Sequence, residues 1–263
     1  MQHSALLNVM IAAARKAART LKRDFGEIEN LQVSLKGPGN FVTAADRKAE
    51  EALKAELAKA RPGYGFLGEE GGSHTGTDTT HTWIVDPLDG TTTFLHGIPQ
   101  FAISIGLERS GTIVAGVIYN PITDELFVAE RGKGAYLNDK RLRVAARKRL
   151  ADSVIACGLP HLGRGDLELG LRELGAVQDK VAGLRRFGAA ALDMAFVAAG
   201  RLDGYWERNI SPWDIAAGII ILREAGGFVT DIDGADAMFT KKHVVAGNET
   251  IQRELQTLLK AAS

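Results

Sequence analysis

Trp83-Ile84-Val85-Asp86-Pro87-Leu88-Asp89-Gly90-Thr91-Thr92-Thr93-Phe94 is the most informative run in the chain. Three apolar residues lead into Asp86 as a buried strand does. Pro87 has no N–H for a central ladder and is expected to end the strand there. Asp89 follows three residues after Asp86, and Gly90 permits a sharp turn. Thr91 and Thr92 add hydroxyls and backbone N–H groups. Two carboxylates at a strand end can share a hard cation, and oxygen-only ligands favour Mg²⁺ over zinc or copper. The Leu88 carbonyl can add a ligand between them. If a helix or tight turn starts at Gly90-Thr91, its N–H groups suit a phosphate. The plainer alternative is an Asp-Gly hairpin turn with Asp86 as a cap.

Outward from this run the chain alternates helices and strands. Leu6, Leu7, Met10, Ile11, Ala14, Ala18, Leu21 and Phe25 recur at helical spacing, with Lys and Arg on the other side, which predicts an amphipathic helix. A loop is expected over Lys36-Gly37-Pro38-Gly39-Asn40, then a second helix opened by Thr43 and stopped by Pro62-Gly63. Strands are expected over Tyr64 to Leu67, Thr82 to Asp86, Ala102 to Leu107, Thr112 to Tyr119 and Glu125 to Ala129. Ser110-Gly111 and Asn120-Pro121 mark turns. In the second half, Ser153 to Cys157, Val181 to Phe187, Phe228 to Thr230 and Val244-Val245 read as strands. Leu167 to Val177, Ala189 to Ala199, Pro212 to Glu224 and Glu249 to Leu259 read as helices, with Pro212 as first residue of its helix. The pattern predicts a layered α/β sandwich. One unit over 1–263 is expected, divided into an N-terminal α+β half, 1–145, and a C-terminal α/β half, 151–263. The boundary run Arg147, Lys148, Arg149 reads as a solvated loop rather than a nucleic-acid patch.

Composition limits the partners. Of 263 residues, 32 are Lys or Arg and 32 are Asp or Glu, so the formal net charge is zero. Nothing favours nucleic acid or an anionic membrane as the main partner. The single Cys157 cannot form an intramolecular disulfide. The first apolar helix is interrupted by Asn8 and Arg15, too early for a span of about 20 residues. No export signal is recognised, so a cytoplasmic location is expected. The six histidines show no His-Glu-x-x-His spacing, so zinc is not expected. His96 reads as an ordinary loop histidine and Gly132-Lys133-Gly134 as a hairpin turn. Ser104 and Ser153 lack a nucleophile-elbow context.

Two further acidic runs join the first. Gly68-Glu69-Glu70-Gly71-Gly72 follows an apolar strand, where a glutamate can reach a central metal or sit in a solvated turn. Trp213-Asp214-Ile215-Ala216-Ala217-Gly218 puts a carboxylate in the first turn of a very apolar helix. Interaction with the helix N-terminus is worth about 0.3–1 kcal/mol. A half-buried carboxylate between Trp213 and Ile215 also needs a partner, and a metal would serve.

With these runs in view, the chain resembles the inositol monophosphatase family of Mg²⁺-dependent, lithium-sensitive phosphatases. The family's Asp-Pro-Leu/Ile-Asp-Gly-Thr-x-x-Phe stands as Asp86 to Phe94, its Trp-Asp-x-Ala-Ala/Gly as Trp213 to Ala217, and its Gly-Glu-Glu as Gly68 to Glu70. The three occur in family order and cover nearly the whole chain. The resemblance implies an alternating α-β-α-β-α sandwich of the inositol monophosphatase/fructose-1,6-bisphosphatase type. It implies two or three Mg²⁺ per site, held by Glu69, Asp86, the Leu88 carbonyl, Asp89 and Asp214. Leu88, Asp89, Gly90, Thr91 and Asp214 would contact the phosphate end of the substrate. Thr91 would also help Glu69 orient the attacking water, with Asp46 of Val42-Thr43-Ala44-Ala45-Asp46 nearby. Asp46 reads equally as a capping box with Thr43, and the two roles are compatible. Gly188, Ala189 and Ala190 match a substrate-contacting Gly-Ser/Thr-Ala. Glu207 matches an acid that contacts substrate hydroxyls. A cyclitol or sugar monophosphate substrate, myo-inositol 1-phosphate first, and a homodimer are also implied.

Two departures from the family pattern stand out. Thr93 replaces the usual Asn and is expected to change only local hydrogen bonding. Ala189 lacks the usual hydroxyl, which leaves the exact substrate open. The rival enzyme readings are a fructose-1,6-bisphosphatase and a 3′-phosphoadenosine-5′-phosphate phosphatase. The rival non-enzyme reading is an interaction protein of the transcription machinery that keeps the fold.

Overall fold

The computed structural model describes residues 3–25, 33–37, 40–161 and 165–263. Helix α1 (Ala5–Phe25) buries Leu7, Met10, Ile11, Ala14, Ala18 and Leu21, the apolar face its spacing predicts. β1 (Val33–Gly37) and β2 (Asn40–Thr43) pair antiparallel in place of the expected loop. Pro38 and Gly39 of that stretch lie outside the described residues, as does the Thr43 side chain. Helix α2 (Ala44–Ala60) buries Ala45, Ala49, Leu53 and Leu57.

There follow β3 (Gly65–Gly68), β4 (Gly72–His74), β5 (His81–Asp89), the short helix α3 (Thr91–Leu95), β6 (Ala102–Arg109), β7 (Thr112–Asn120), β8 (Glu125–Glu130), β9 (Ala135–Leu137) and β10 (Lys140–Arg141). These strands make one eight-stranded sheet in the order β10-β9-β8-β7-β6-β5-β3-β4. Only β3 and β5 pair parallel in it. The second half runs β11 (Val154–Cys157), α4 (Leu167–Gln178), β12 (Gly183–Arg185), α5 (Ala190–Ala198), β13 (Gly204–Arg208), α6 (Pro212–Glu224), β14 (Phe228–Thr230), α7 (Met238–Lys241), β15 (His243–Gly247) and α8 (Glu249–Ala262). Its five-stranded sheet has the order β12-β11-β13-β15-β14.

Side-chain alternation sorts these elements into layers. Trp83, Val85, Ile103, Ile105 and Val117 face α1 and α2. Ile84, Ala102, Ile118 and Phe127 point the other way, onto α5 and α6, which also take Ala156, Tyr205, Val244 and Ala246 of the small sheet. The far side of the small sheet, with Ile155, Trp206 and Val245, packs on Val177 of α4 and on Ile251, Leu255 and Leu259 of α8. The order is helix, sheet, helix, sheet, helix. The central helix pair therefore belongs to both cores, and one cluster joins residues from either side of the 145–151 boundary.

Strand β13 was not expected. Its five residues, Gly204-Tyr205-Trp206-Glu207-Arg208, carry two charges, yet it pairs parallel with β11 and antiparallel with β15 at the centre of the small sheet. Within the boundary run, Arg147 is not simply solvated. Its Nε donates to Asp203 Oδ1 (2.6 Å), a buried carboxylate that also accepts the Val154 N–H.

Pro87 does not end β5. Asp86 faces Ser104 and Asp89 faces Ala102, so three steps on β5 oppose two on β6, and the extra residue is a β-bulge. The parallel partner β3 already stops at Gly68 opposite Val85, so the missing Pro87 N–H interrupts no ladder on that side. The bulge reverses the alternation. Val85 and Leu88, three apart, both face α1 and α2. Asp86 and Asp89, also three apart, both turn toward the central helices.

Candidate active site

A cleft of about 300 Å³ opens where the C-terminal end of β5 meets α3, α5, α6 and β13. It gathers Glu69, Asp86, Leu88, Asp89, Gly90, Thr91, Gly188, Ala190, Glu207 and Asp214 in its wall. Asp46 and Ala189 are not in the wall. Asp46 is buried behind it and accepts a hydrogen bond from Thr91 Oγ1 (3.1 Å). Ala189 is buried too, with its Cβ 3.2 Å from where a side chain on Gly90 would begin.

Each acidic side chain is aimed by backbone groups. Asp86 Oδ1 accepts the Leu88 N–H (2.9 Å), and Asp89 Oδ2 accepts the Ala191 N–H near the start of α5 (2.7 Å). Asp214 Oδ2 accepts the Ser211 N–H (2.7 Å) in a capping box at the start of α6. Glu69 hangs on a tight loop, and the Glu50 carboxylate of α2 secures that loop by accepting the N–H groups of Glu70 (2.9 Å) and Gly71 (2.6 Å). A Cβ on Gly68 or Gly71 would lie 2.4 or 2.7 Å from a Glu50 oxygen, so the glycines of this run serve that anchor.

Gly90 is required twice over. Its φ is +92°, and a Cβ there would lie 2.8 Å from the Gln100 carbonyl oxygen. It turns β5 into α3, so that Thr91 stands at the cleft with Oγ1 3.1 Å from the Leu88 carbonyl oxygen as well as from Asp46. Thr93, in the place of the family Asn, donates within the same turn to Gly90 O or Gln100 O. On the opposite wall Tyr205 Oη donates to Glu207 Oε2. A Cβ on Gly158 would fall 1.9 Å from the Glu207 carboxyl carbon, so only glycine leaves room for it.

The electrostatics are lopsided. Six carboxylates, Glu69, Asp86, Asp89, Asp193, Glu207 and Asp214, share the wall with Arg186 and Arg208. Arg208 is committed to the buried Glu173 (2.6 Å). Burial first, then the charges of Glu69, Asp89 and Asp214, hold the Asp86 carboxyl well above the usual carboxylate range, against the pull of the Leu88 N–H. Asp89 is raised by burial and then by Asp214, with the Ala191 N–H opposing. Keeping such a buried cluster ionised at neutral pH calls for positive charge beside it. Among the described residues no three acidic, histidine or cysteine side chains are drawn together around one point. Asp86, Asp89 and Asp214 each commit one oxygen to a backbone N–H. The all-oxygen donor set fits a hard divalent cation.

Several lining residues were not expected at the site from the sequence: Asp193, Arg186, His161 and Asn209. For Asp193 a signal existed, since it is the only charged residue between Ala189 and Ala199. His96 is exposed and outside the cleft wall.

Residues 2–263 match the family model described as the inositol monophosphatase family. The chain belongs to the inositol monophosphatase family. It is 64% identical over 260 residues to an inositol-1-monophosphatase of Mesorhizobium japonicum, covering 99% of this chain and 98% of that one. A crystal structure of an extragenic suppressor protein, suhB, from Bartonella henselae superposes with a TM-score of 0.95 at 61% identity, over 98% of this chain and 99% of that one. A Pseudomonas aeruginosa protein named Nus factor SuhB is 40% identical, over 97% of this chain and 95% of its own. Family membership makes the chain a phosphatase of the metal-dependent kind, acting on a small phosphorylated substrate. The α-β-α-β-α layering agrees with it, and no helix among the described residues is long and apolar enough to cross a membrane.

Proposed function

We propose that the chain hydrolyses the phosphate monoester of a polyhydroxylated ring, myo-inositol 1-phosphate first, to the free alcohol and phosphate. The observation that carries this is the β5 bulge, which turns Asp86 and Asp89 into one cleft with Glu69, Asp214 and Glu207. Glu69, Asp86, the Leu88 carbonyl, Asp89 and Asp214 would hold two or three Mg²⁺. The bound ions would supply charge neutralisation for the phosphoryl group and an activated water. Glu69 and Thr91 orient that water, and Asp46 fixes the Thr91 hydroxyl from behind. Gly90 and Thr91 present backbone N–H groups to the phosphate. Gly188 and Ala190 shape the ring side, and Glu207 accepts hydrogen bonds from ring hydroxyls. Water rather than a side chain would be the nucleophile toward phosphorus, so no phosphoenzyme is expected to form. We further propose that the chain acts as one unit over 1–263, as a cytoplasmic homodimer, and that millimolar Li⁺ inhibits it.

A bisphosphate or a phosphoadenosine substrate carries a second anionic group. Of the two arginines in the wall, Arg208 is already paired with Glu173. Phosphate release from myo-inositol 1-phosphate, fructose 1,6-bisphosphate and 3′-phosphoadenosine 5′-phosphate under Mg²⁺ tests the choice. The first should be the best substrate by kcat/KM, and a clear preference for either of the others would replace it. Support for a separate binding role comes from relatives named Nus factor SuhB. An Asp89→Asn protein that is inactive yet still captures its partner would establish that role apart from catalysis.

A further inference from the structure

Helix α5 buries Ala190, Ala191, Leu192, Met194, Ala195, Val197 and Ala198, and among them one carboxylate. Asp193 is 1% exposed and lines the cleft, and its Oδ1 is shut from solvent with no hydrogen-bond partner. Such atoms are uncommon in folded proteins, because an unmet buried acceptor costs stability. Among the described residues no group donates to it. The neighbouring Tyr205 hydroxyl gives its proton to Glu207 Oε2, and Cys157 Sγ faces the Arg185 carbonyl. Burial first, then the charge of Glu207, raises the Asp193 carboxyl above the usual range against the pull of Arg186, and Asp89 lies within reach of its field.

A ligand in the cleft that Asp193 lines can supply the missing donor. An anion is unsuited to a place between two carboxylates. A neutral hydroxyl is suited, since it gives a proton to an acceptor and adds no charge to bury. We propose that Asp193 and Glu207 together form a polyol subsite that accepts hydrogen bonds from neighbouring hydroxyls on the ring, with Asp193 as its second specificity-determining carboxylate. This rests on the phosphatase reading above and deepens it. It also gives the Ala189 departure a consequence. The hydroxyl lost there would have been buried behind the wall, and recognition passes to a carboxylate one helical turn further on.

The test compares wild type, Asp193→Ala and Asp193→Asn with Mg²⁺ on myo-inositol 1-phosphate and on p-nitrophenyl phosphate, which has no ring hydroxyls. Melting temperature is followed in parallel without divalent ions. Asp193→Ala should lose about tenfold or more in kcat/KM on the inositol phosphate, chiefly through KM. The loss on p-nitrophenyl phosphate should be at least about fivefold smaller. Asp193→Asn, which keeps an acceptor, should lie between. The melting temperature of Asp193→Asn should stay level or rise by about 2 °C, because a buried charge without a partner has been removed. Equal losses on the two substrates, or a fall in melting temperature in both variants, would make Asp193 a structural residue and overturn the subsite while leaving the phosphatase reading standing. A wild type that releases phosphate from neither substrate would overturn both.

Discussion

Asp86, Asp89 and Asp214 do two jobs each: one oxygen fixes a backbone N–H, and the charge of the other end gives the cleft its need for cations. Asparagine keeps the first job and loses the second. Asp86→Asn, Asp89→Asn and Asp214→Asn are each expected to abolish nearly all phosphatase activity while leaving circular dichroism unchanged. Near-normal turnover by any of them at saturating Mg²⁺ removes that residue from the ion's shell. Glu207 carries a different load. One of its oxygens accepts from Tyr205, Gly158 leaves space beside it, and it lines the cleft that the proposed substrate would enter. Glu207→Gln should cost about tenfold or more in kcat/KM on myo-inositol 1-phosphate, with a clearly smaller loss on p-nitrophenyl phosphate. Equal losses would return Glu207 to a structural role. At this scale the acids at strand and helix ends were legible in the sequence because the three acidic runs occur together and in family order, although each alone has a plain explanation. Asp193 and Glu50 were not, because one sits inside an apolar helix and the other on an ordinary charged face, and only packing reveals their surroundings.

Helix α6 brings Asp214 to the cleft, and two glycines set its height above the large sheet. A Cβ on Gly106 would lie 2.8 Å from the Ala216 Cβ, and one on Gly116 would lie 2.6 Å from Ile220 Cγ2 and 2.7 Å from the Ala217 carbonyl oxygen. Gly116→Ala must lift the helix or bend the strand. It is expected to lower stability by about 1–3 kcal/mol in urea unfolding and to weaken the stabilisation that Mg²⁺ confers. A variant as stable as wild type with unchanged Mg²⁺ response would show that the helix tolerates the shift. Periodicity located the long amphipathic and apolar helices well, and Pro212 fixed the start of α6. It missed β13, whose short charged run lacks a strand pattern, and it read Pro87 as a strand end where the chain makes a bulge. Both features depend on neighbours: β13 exists because β11 and β15 flank it, and the bulge because β6 resumes pairing at Ala102.

Five layers sharing a central helix pair place the acidic cleft inside the molecule's main core, so the ions and the fold are coupled. The carboxyls of Asp86 and Asp89 have folded-state pKa values raised above the unfolded value, which is about 3.9 for Asp. Between those two values the folded state holds more protons than the unfolded one, so stability falls as pH rises. Without divalent ions the melting temperature should therefore decline as pH rises above about 4 through these groups, and Mg²⁺ should offset the decline. The rise in melting temperature on adding Mg²⁺ should be larger at about pH 8 than at about pH 5.5, by a few degrees. An equal rise at both values would separate Mg²⁺ binding from the carboxylate cluster. The layered architecture itself was legible from the alternation of elements, whereas the joining of the two halves through one core required the contacts. The central claim is that this cleft hydrolyses phosphate monoesters only with divalent cations bound to its carboxylates. It is tested most directly by titrating Mg²⁺ into metal-stripped wild type and Asp89→Asn while measuring phosphate released from myo-inositol 1-phosphate. Wild type should be silent without Mg²⁺ and rise to saturation, and Asp89→Asn should stay near baseline throughout. Release by the stripped enzyme that Mg²⁺ does not change, or full activity in Asp89→Asn, would contradict the account.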